Sequence, residues 1–150
     1  MPKYIDKKDL LKMYFGMFAI RAFEEKVGRE YPNGQMRTPT HLGIGQEAVA
    51  VGVLHSRDKE DVIFSHHRCH NHYLAAGGSR EKLFAELLGK ASGCSGGRGG
   101  SVHLVSREQG FFRILSNTWA ISGFSYWGRF CQEKIEKTGN FHSFFWRCRF

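Results

Sequence analysis

The sequence has no long hydrophobic run, and no segment of the secretory-signal type is expected at its start. No apolar stretch approaches the roughly 18 residues that a helix needs to span a membrane. The opening residues 1–8 are charged and hold no apolar segment of the secretory type. The cysteines form no C-x-x-C pair and are irregularly spaced: Cys69, Cys94, Cys131 and Cys148. These absences predict a cytoplasmic protein with reduced thiols and no membrane association.

Acidic residues are scarce, and aspartate is absent after Asp61. The 150-residue chain therefore carries a formal net charge of +8. Its basic residues are dispersed among acids, which argues against a nucleic-acid-binding face. A small basic nucleic-acid-binding protein that uses Arg68, Arg98 and the aromatic tail stays open as an alternative. With 41% hydrophobic and 24% charged residues, the composition is that of a globular protein rather than a disordered one.

Hydrophobic periodicity predicts a long first helix, from Asp6 as its cap to about Gly34, where Pro-Asn-Gly indicates a turn. Large side chains at three- and four-residue spacing build one apolar face of this helix: Leu10, Leu11, Tyr14, Phe15, Phe18, Ala19 and Phe23. Residues 46–54 predict a second helix that contains small residues.

Further along, the apolar run 62–64 is typical of a buried strand, and residues 74–76 look helical. Ser79 is the start signal of another helix, because serine is a favoured N-terminal cap. That helix carries Glu86, a lone acid that we expect on a solvated face with no role of its own.

A histidine lies between small residues just before the second helix. His41, in the run T-H-L-G-I-G-Q-E-A, can approach a bound substrate, and an imidazole can donate a hydrogen bond or a proton near neutral pH. A loop histidine that caps the helix or faces water is the competing interpretation.

A histidine-rich segment follows the predicted strand. It reads S-H-H-R-C-H-N-H and occupies the position where ligands sit in α/β folds. Arg68 offers donors to a phosphate or carboxylate, so an anion site is one interpretation. Zinc ligation is a second, although no further Cys/His pair lies at a matching distance. A polar surface turn is the third.

Residues 93–100 form a loop with five glycines. The backbone N–H groups of such a loop can bind phosphate. The loop matches neither the P-loop pattern nor the dinucleotide-binding pattern, and a flexible linker explains its composition equally well.

Taken together and in this order, the segments resemble one family, although no single segment is specific for it. From about residue 10 to 123, the chain resembles the alpha subunit of the decarboxylating component of pyruvate, acetoin and branched-chain 2-oxo acid dehydrogenases. The resemblance rests on these motifs: R-x-F-E at 21–24, H-L-x-x-G-Q-E-A at 41–48, H-R-x-H at 67–70, E-L-x-G at 86–89 and G-x-x-x-G-x-G-G-S-x-H at 93–103.

The resemblance implies an α/β, thiamine-diphosphate-binding fold whose helix-rich N-terminal part is present here with an incomplete parallel sheet. One or two strands are expected, near Val62 and just before Gly123. The implied reaction is oxidative decarboxylation of a 2-oxo acid such as pyruvate, with acetoin possible, and acyl transfer to lipoyl. The implied cofactors are thiamine diphosphate and magnesium. The implied partners are a beta subunit, in an alpha2-beta2 assembly, and a lipoyl-bearing acyltransferase.

Site residues follow from the same resemblance. His41 matches a histidine that lines the active site, and His70 matches one beside the reactive thiazolium, so both are the catalytic candidates. Arg68 matches an arginine that contacts the diphosphate. His67 stands where many members have a cofactor-contacting tyrosine. Ile121 corresponds to an apolar residue whose backbone meets the aminopyrimidine.

The last part of the chain departs from the family pattern. Residues 124–150 contain no Ala, Val or Leu but many aromatics: Phe124, Tyr126, Trp127, Phe130, Phe141, Phe144, Phe145, Trp146 and Phe150. The Gly-Asp-Gly and Asn that hold magnesium in the family are absent, so no metal ligand is assigned.

We therefore divide the chain into 1–123, the N-terminal part of a dehydrogenase alpha subunit, and an out-of-frame tail, 124–150. The chain is then expected to be inactive as this fragment, even with a beta subunit added, and to leave apolar faces such as that of the first helix uncovered. A non-catalytic fragment that pairs with a beta subunit is the alternative.

Overall fold

The structure is a computed structural model, and it describes residues 5–36, 38–58, 61–114 and 141–143. The helices are α1 (Lys7–Glu30), α2 (Glu47–His55), α3 (His70–Ala75) and α4 (Arg80–Leu87), and the strands are β1 (Val62–Ser65), β2 (Phe111–Ile114) and β3 (Phe141–Ser143). Short 3₁₀ turns occupy Tyr31–Asn33 and Arg107–Gln109. Within these ranges, no helix is long and apolar enough to cross a bilayer.

Helix α1 begins and ends close to the predicted positions. Asp6 is its N-cap in an extended conformation, although its side chain makes no capping hydrogen bond. After Glu30 the chain tightens into the 3₁₀ turn and stops at Gly34, whose φ of 72° lies in the left-handed region that glycine enters at little cost.

The two halves of α1 differ in burial. Ile20, Phe23, Glu24 and Val27 of the C-terminal half are buried. Five large apolar residues of the N-terminal half are 50–66% exposed: Leu10, Leu11, Tyr14, Phe15 and Phe18. The predicted apolar face is therefore covered only near its end, at Phe23. In the described part of the chain, the expectation of an uncovered face on the first helix is met.

The shorter helices follow their predicted signals with one difference. Helix α2 lies within one residue of the predicted range, and the Ser79 hydroxyl accepts the N–H of Lys82 at the start of α4. Helix α3 begins at His70, four residues before the predicted start. Its first turn is polar yet buried, so hydrophobic periodicity could not reveal it.

The described strands form one parallel sheet in the order β2-β1-β3. In the backbone register, Ile63 on the central strand pairs with Phe111 on β2 and with position 142 on β3. Strand β1 was predicted. Strands β2 and β3 were not, because runs of four and three residues are too short to show a period. The strand expected just before Gly123 lies outside the described residues. Parallel pairing of the described strands agrees with the expected α/β class.

The core joins α1, α3, α4 and the central strand. Tyr73 and Phe111 meet edge to face at 6.0 Å between ring centroids, and Phe23 meets Phe84 similarly at 6.3 Å. The buried apolar members are Phe23, Val27, Met36, Leu54, Ile63, Cys69, Tyr73, Leu83, Leu87, Leu104 and Phe111.

Candidate functional site

Glu86 is buried and holds the glycine-rich loop. Its Oε2 accepts the backbone N–H groups of Ser95 at 2.7 Å and Gly97 at 2.9 Å. Its Oε1 accepts those of Gly99 at 2.7 Å and Gly100 at 3.3 Å. Four amide donors therefore converge on one carboxylate that has no solvent exposure. Such charge-assisted hydrogen bonds compensate the cost of burying the side chain.

This arrangement corrects two expectations. Glu86 does not lie on a solvated face, and the loop amides that were candidates for phosphate binding are bonded to the protein's own carboxylate. The loop is also compact rather than a loose linker: a Cβ at Gly97, where φ is 75°, would come within 2.7 Å of the Gly89 backbone. Glycine is required there both for conformation and for close approach.

A second buried carboxylate lies under His41 and His70. Glu24 Oε1 is 2.9 Å from Nδ1 of His70, and Glu24 Oε2 accepts the N–H of Gly43 at 3.1 Å. Nε2 of His70 is 3.0 Å from Oγ of Ser101, which also accepts the N–H of His41 at 3.1 Å. Hydrogen bonds thus connect α1, α3, the residue that follows the glycine-rich loop and the His41 segment.

An ion pair fixes the start of α2 beside this network. Arg21 donates from Nε to Oε1 of Glu47 at 2.7 Å and from Nη2 to Oε2 at 3.1 Å. Glu47 also accepts the N–H of Gly45. The hydrogen bond from Arg21 holds the pKa of the Glu47 carboxyl below its usual range. The pair therefore ties α1 to the loop that carries His41.

Four histidine rings contact one another in sequence near the end of β1, two pairs edge to face and the His66–His67 pair tilted at 57°. The ring centroids of His41 and His67 are 5.3 Å apart, those of His67 and His66 5.5 Å, and those of His66 and His72 5.0 Å. Nδ1 of His72 is 2.5 Å from Oγ of Ser65. The arrangement brings the predicted residues His41 and His67 together with two histidines that had no assigned role.

The environment keeps three of these imidazoles neutral. Burial, with a smaller effect from His66, lowers the pKa of His72 to about 3. Burial and then His67 and Arg68 lower the pKa of His66. Burial and then His41 and Arg68 lower the pKa of His67. Desolvation and neighbouring positive charge both disfavour imidazolium, so these rings offer neutral donors and acceptors rather than charge.

Arg68 lies half-buried between the histidines and the His41 segment. Its backbone N–H donates to Nδ1 of His66 at 3.1 Å, and its guanidinium donates to the carbonyl of Leu42. Because Nδ1 of His66 accepts, Nε2 carries the proton. In the described residues this buried Nε2 has no hydrogen-bond partner. The positive charge of Arg68 also acts on this ring. A buried donor without an acceptor is a group that an anion would satisfy.

The predicted residues therefore differ in accessibility. His67 is exposed, and His41 and Arg68 are partly buried. His70 has no exposure, and both of its ring nitrogens have partners. Ile121 lies outside the described residues. Cys69 and Cys94 are free thiols whose pKa burial raises.

The zinc alternative gains no support. Among residues 5–36, 38–58, 61–114 and 141–143, no group of three or more His, Cys, Asp or Glu side chains could hold a metal ion. The histidines adjoin one another through their rings instead.

Sequence reasoning missed the buried polar residues Glu24, Ser101 and Glu86 as functional elements. Each lies within one of the motifs that carry the family resemblance, and that position was the only signal that the sequence offered. Their partners lie elsewhere along the chain: 46 residues separate Glu24 from His70, and 31 separate His70 from Ser101. Such pairings become visible only after folding.

Comparison with known proteins shows which family the chain is similar to. Residues 15–142 match the family described as Dehydrogenase E1 component. The chain is 44% identical over 106 residues to the pyruvate dehydrogenase E1 component subunit alpha of Rhizobium meliloti (strain 1021), covering 71% of this chain and 30% of that protein. It is 44% identical over 110 residues to the protein of the same description from Zymomonas mobilis subsp. mobilis, covering 73% of this chain and 31% of that protein.

A mitochondrial relative shows a similar degree of identity. The pyruvate dehydrogenase E1 component subunit alpha of Chaetomium thermophilum is 39% identical over 108 residues, covering 72% of this chain and 26% of that protein. The chain thus spans less than a third of the length of these relatives.

Proposed function

Because the chain belongs to the dehydrogenase E1 component family, we propose that it supplies the N-terminal part of a thiamine-diphosphate site in an alpha subunit that decarboxylates a 2-oxo acid. The observation that carries the proposal is the donor set at the end of β1. The guanidinium of Arg68 and the unpartnered buried Nε2 of His66 lie within one segment. A diphosphate is the anion that the family resemblance assigns to that segment.

The donors fit an anionic ligand. A guanidinium has five N–H donors in a fixed fork, and in the described part of the chain the Arg68 guanidinium donates to the carbonyl of Leu42. Its further N–H groups can serve a phosphate oxygen. His67 is exposed on the same segment and replaces the usual tyrosine with a neutral imidazole.

The role that we propose for each residue depends on how accessible its side chain is. When bound, thiamine diphosphate acts as the electron sink for loss of carbon dioxide from a 2-oxo acid. We assign proton transfer near the substrate to His41, which is partly exposed. We keep His70 as a residue of the same site, although it is enclosed and acts through its neighbours. Ile121 stays a proposed backbone contact to the cofactor.

The remaining assignments also come from the resemblance. We propose pyruvate or a similar 2-oxo acid as substrate, with acetoin possible, and lipoyl as the acyl acceptor. We propose a beta subunit and a lipoyl-bearing acyltransferase as partners, in the cytoplasm. Magnesium would accompany the diphosphate, but no group among the described residues could hold a metal, so we derive no step through it. We also propose the division of the chain at residue 123, with an out-of-frame tail after it.

The test is calorimetric binding of thiamine diphosphate and of inorganic pyrophosphate to the full chain, with a beta subunit of this family added. Arg68→Gln should weaken both by about tenfold or more, the usual effect of losing a charge-assisted bond. Arg80→Gln, an exposed arginine on α4, is the matched control. Equal affinities of the two variants, or unchanged pyrophosphate binding, would contradict the proposal.

A second candidate is a non-catalytic fragment that pairs with a beta subunit. The exposed apolar residues of α1, from Leu10 to Phe18, favour it because large uncovered apolar patches mark interaction surfaces. Release of carbon dioxide from a 2-oxo acid separates the two candidates. We expect none from the chain alone, and turnover after addition of a beta subunit would exclude the non-catalytic candidate.

A further inference from the structure

The hydrogen bonds around Ser101 permit one assignment of protons. Oγ of Ser101 accepts the N–H of His41, so its own hydroxyl hydrogen needs an acceptor. Nε2 of His70, at 3.0 Å, supplies that acceptor only when it carries no proton. The ring proton then lies on Nδ1, which donates to Oε1 of Glu24 at 2.9 Å. Protonation of Nε2 would leave the buried hydroxyl hydrogen without an acceptor in the described residues.

We infer that Glu24, His70 and Ser101 form a buried relay that fixes His70 as the Nδ1–H tautomer and positions the backbone of His41. Ser101 and His70 are thus positioning residues. The catalytic meaning of this placement rests on the proposed function, whereas the relay itself does not.

The order acid, histidine, serine is also that of a hydrolase triad. Burial excludes that chemistry here, because Glu24, His70 and Ser101 each have 0% exposure. The hydroxyl cannot reach a substrate, and in this conformation neither ring nitrogen of His70 is free to exchange a proton with one. The three side chains can act on the reaction only through the backbone that they hold.

That backbone is residues 41–43, and it is held at every position. Ser101 accepts the N–H of His41, the carbonyl of Leu42 accepts from Arg68, and the N–H of Gly43 donates to Glu24. The carbonyl of Gly43 accepts from Nδ2 of Asn71 at 2.6 Å.

Close packing accompanies these bonds. A Cβ at Gly43 would lie 2.6 Å from Nδ2 of Asn71. The same segment therefore joins the proposed anion site, through Arg68, to the proposed proton donor, His41. A displacement at Ser101 would be transmitted to both.

The test is nuclear magnetic resonance of the full chain with ¹⁵N-labelled histidine, in which each histidine resonance is assigned to its residue. Protonated and unprotonated ring nitrogens resonate in separate ranges. In the unsubstituted protein we expect Nδ1 of His70 to be protonated and Nε2 to be unprotonated. A protonated Nε2 would overturn the inference without any variant.

Variants test the positioning of His41. Ser101→Ala should shift the His41 amide resonance, and Ser101→Thr, which retains the hydroxyl, should restore it. Ser56→Ala is the control, because this exposed serine donates to its own helix at Val53. An unmoved His41 amide in a folded Ser101→Ala chain would overturn the positioning role. If that variant does not fold, the Ser101→Thr spectrum decides: a changed His70 tautomer would contradict the relay.

These readouts need no cofactor. Failure of thiamine diphosphate to bind would therefore remove the proposed function and leave the relay intact. Normal binding together with the opposite His70 tautomer would remove the relay alone.

Discussion

The two halves of α1 share a helix but not an environment. Phe15 and Phe18 in the first half are 66% and 62% exposed, whereas Phe23 in the second half is 9% exposed and Glu24 is fully buried. A carboxylate is inside and two phenylalanines are outside. The difference teaches that the polar contacts of Glu24, and not apolar content alone, decide which part of this helix the fold covers.

Identical substitutions in the two halves should give the largest contrast. Phe23→Ala removes a ring that packs edge to face on Phe84 and should lower the free energy of unfolding by about 3–5 kcal/mol. Phe15→Ala should change it by less than about 0.5 kcal/mol. Urea denaturation followed by circular dichroism measures both. Comparable losses would show that the exposed half is covered in solution.

Buried and exposed carboxylates on α4 extend the comparison to polar groups. Glu86→Gln places an amide NH₂ against backbone donors that now meet Oε1 and Oε2, so we expect a loss of about 3 kcal/mol. Glu81→Gln, on the exposed face of the same helix, should cost less than about 0.5 kcal/mol. The same denaturation experiment applies, and equal effects would refute the anchoring role of Glu86.

Acid should weaken the buried polar region. The pKa of His72 is about 3 in the folded chain, against an ordinary value of 6.5. Below pH 6.5 the unfolded chain therefore binds a proton at His72 that the folded chain does not bind. Stability is therefore complete above pH 6.5 and falls as pH decreases. His72 accounts for a loss of roughly 2 kcal/mol between pH 6.5 and 5.

The pKa values of His66 and His67 are lowered in the same direction. Denaturation at a series of pH values measures the slope. His72→Gln should flatten it, and His55→Gln, at an exposed position, is the matched control. A slope that both variants share with the unsubstituted chain would show that His72 is not the source.

The smallest effect on stability should come from the exposed half of α1. Phe18→Gln should leave the unfolding free energy within about 0.5 kcal/mol but reduce self-association, because it interrupts the exposed apolar patch. Sedimentation velocity over a range of concentrations measures this change. An unaltered concentration dependence would remove the patch as the cause of association.

Features that depend on residues close together in the sequence could be predicted, and features that depend on residues far apart in the sequence could not. The limits of α1, the Ser79 cap and strand β1 are local and were predicted from spacing and capping residues. The covered part of the α1 face was not, since burial depends on packing by α2 and α3.

The site shows the same division. His41, Arg68 and His67 were singled out from local motifs, and the structure brings them together. The burial of Glu86 was expected wrongly because its four donors lie 9–14 residues away, in a loop whose conformation no periodicity reveals. The relay through Glu24, His70 and Ser101 depends on still longer separations.

Amide hydrogen exchange in the glycine-rich loop tests most directly the claim that buried carboxylates hold the functional segments in place. Bonding to Glu86 predicts that the amides of Ser95, Gly97 and Gly99 exchange as slowly as those within α4, and that Glu86→Gln selectively releases them. Exchange of these amides at the rate of an unstructured peptide in the unsubstituted chain would contradict the account.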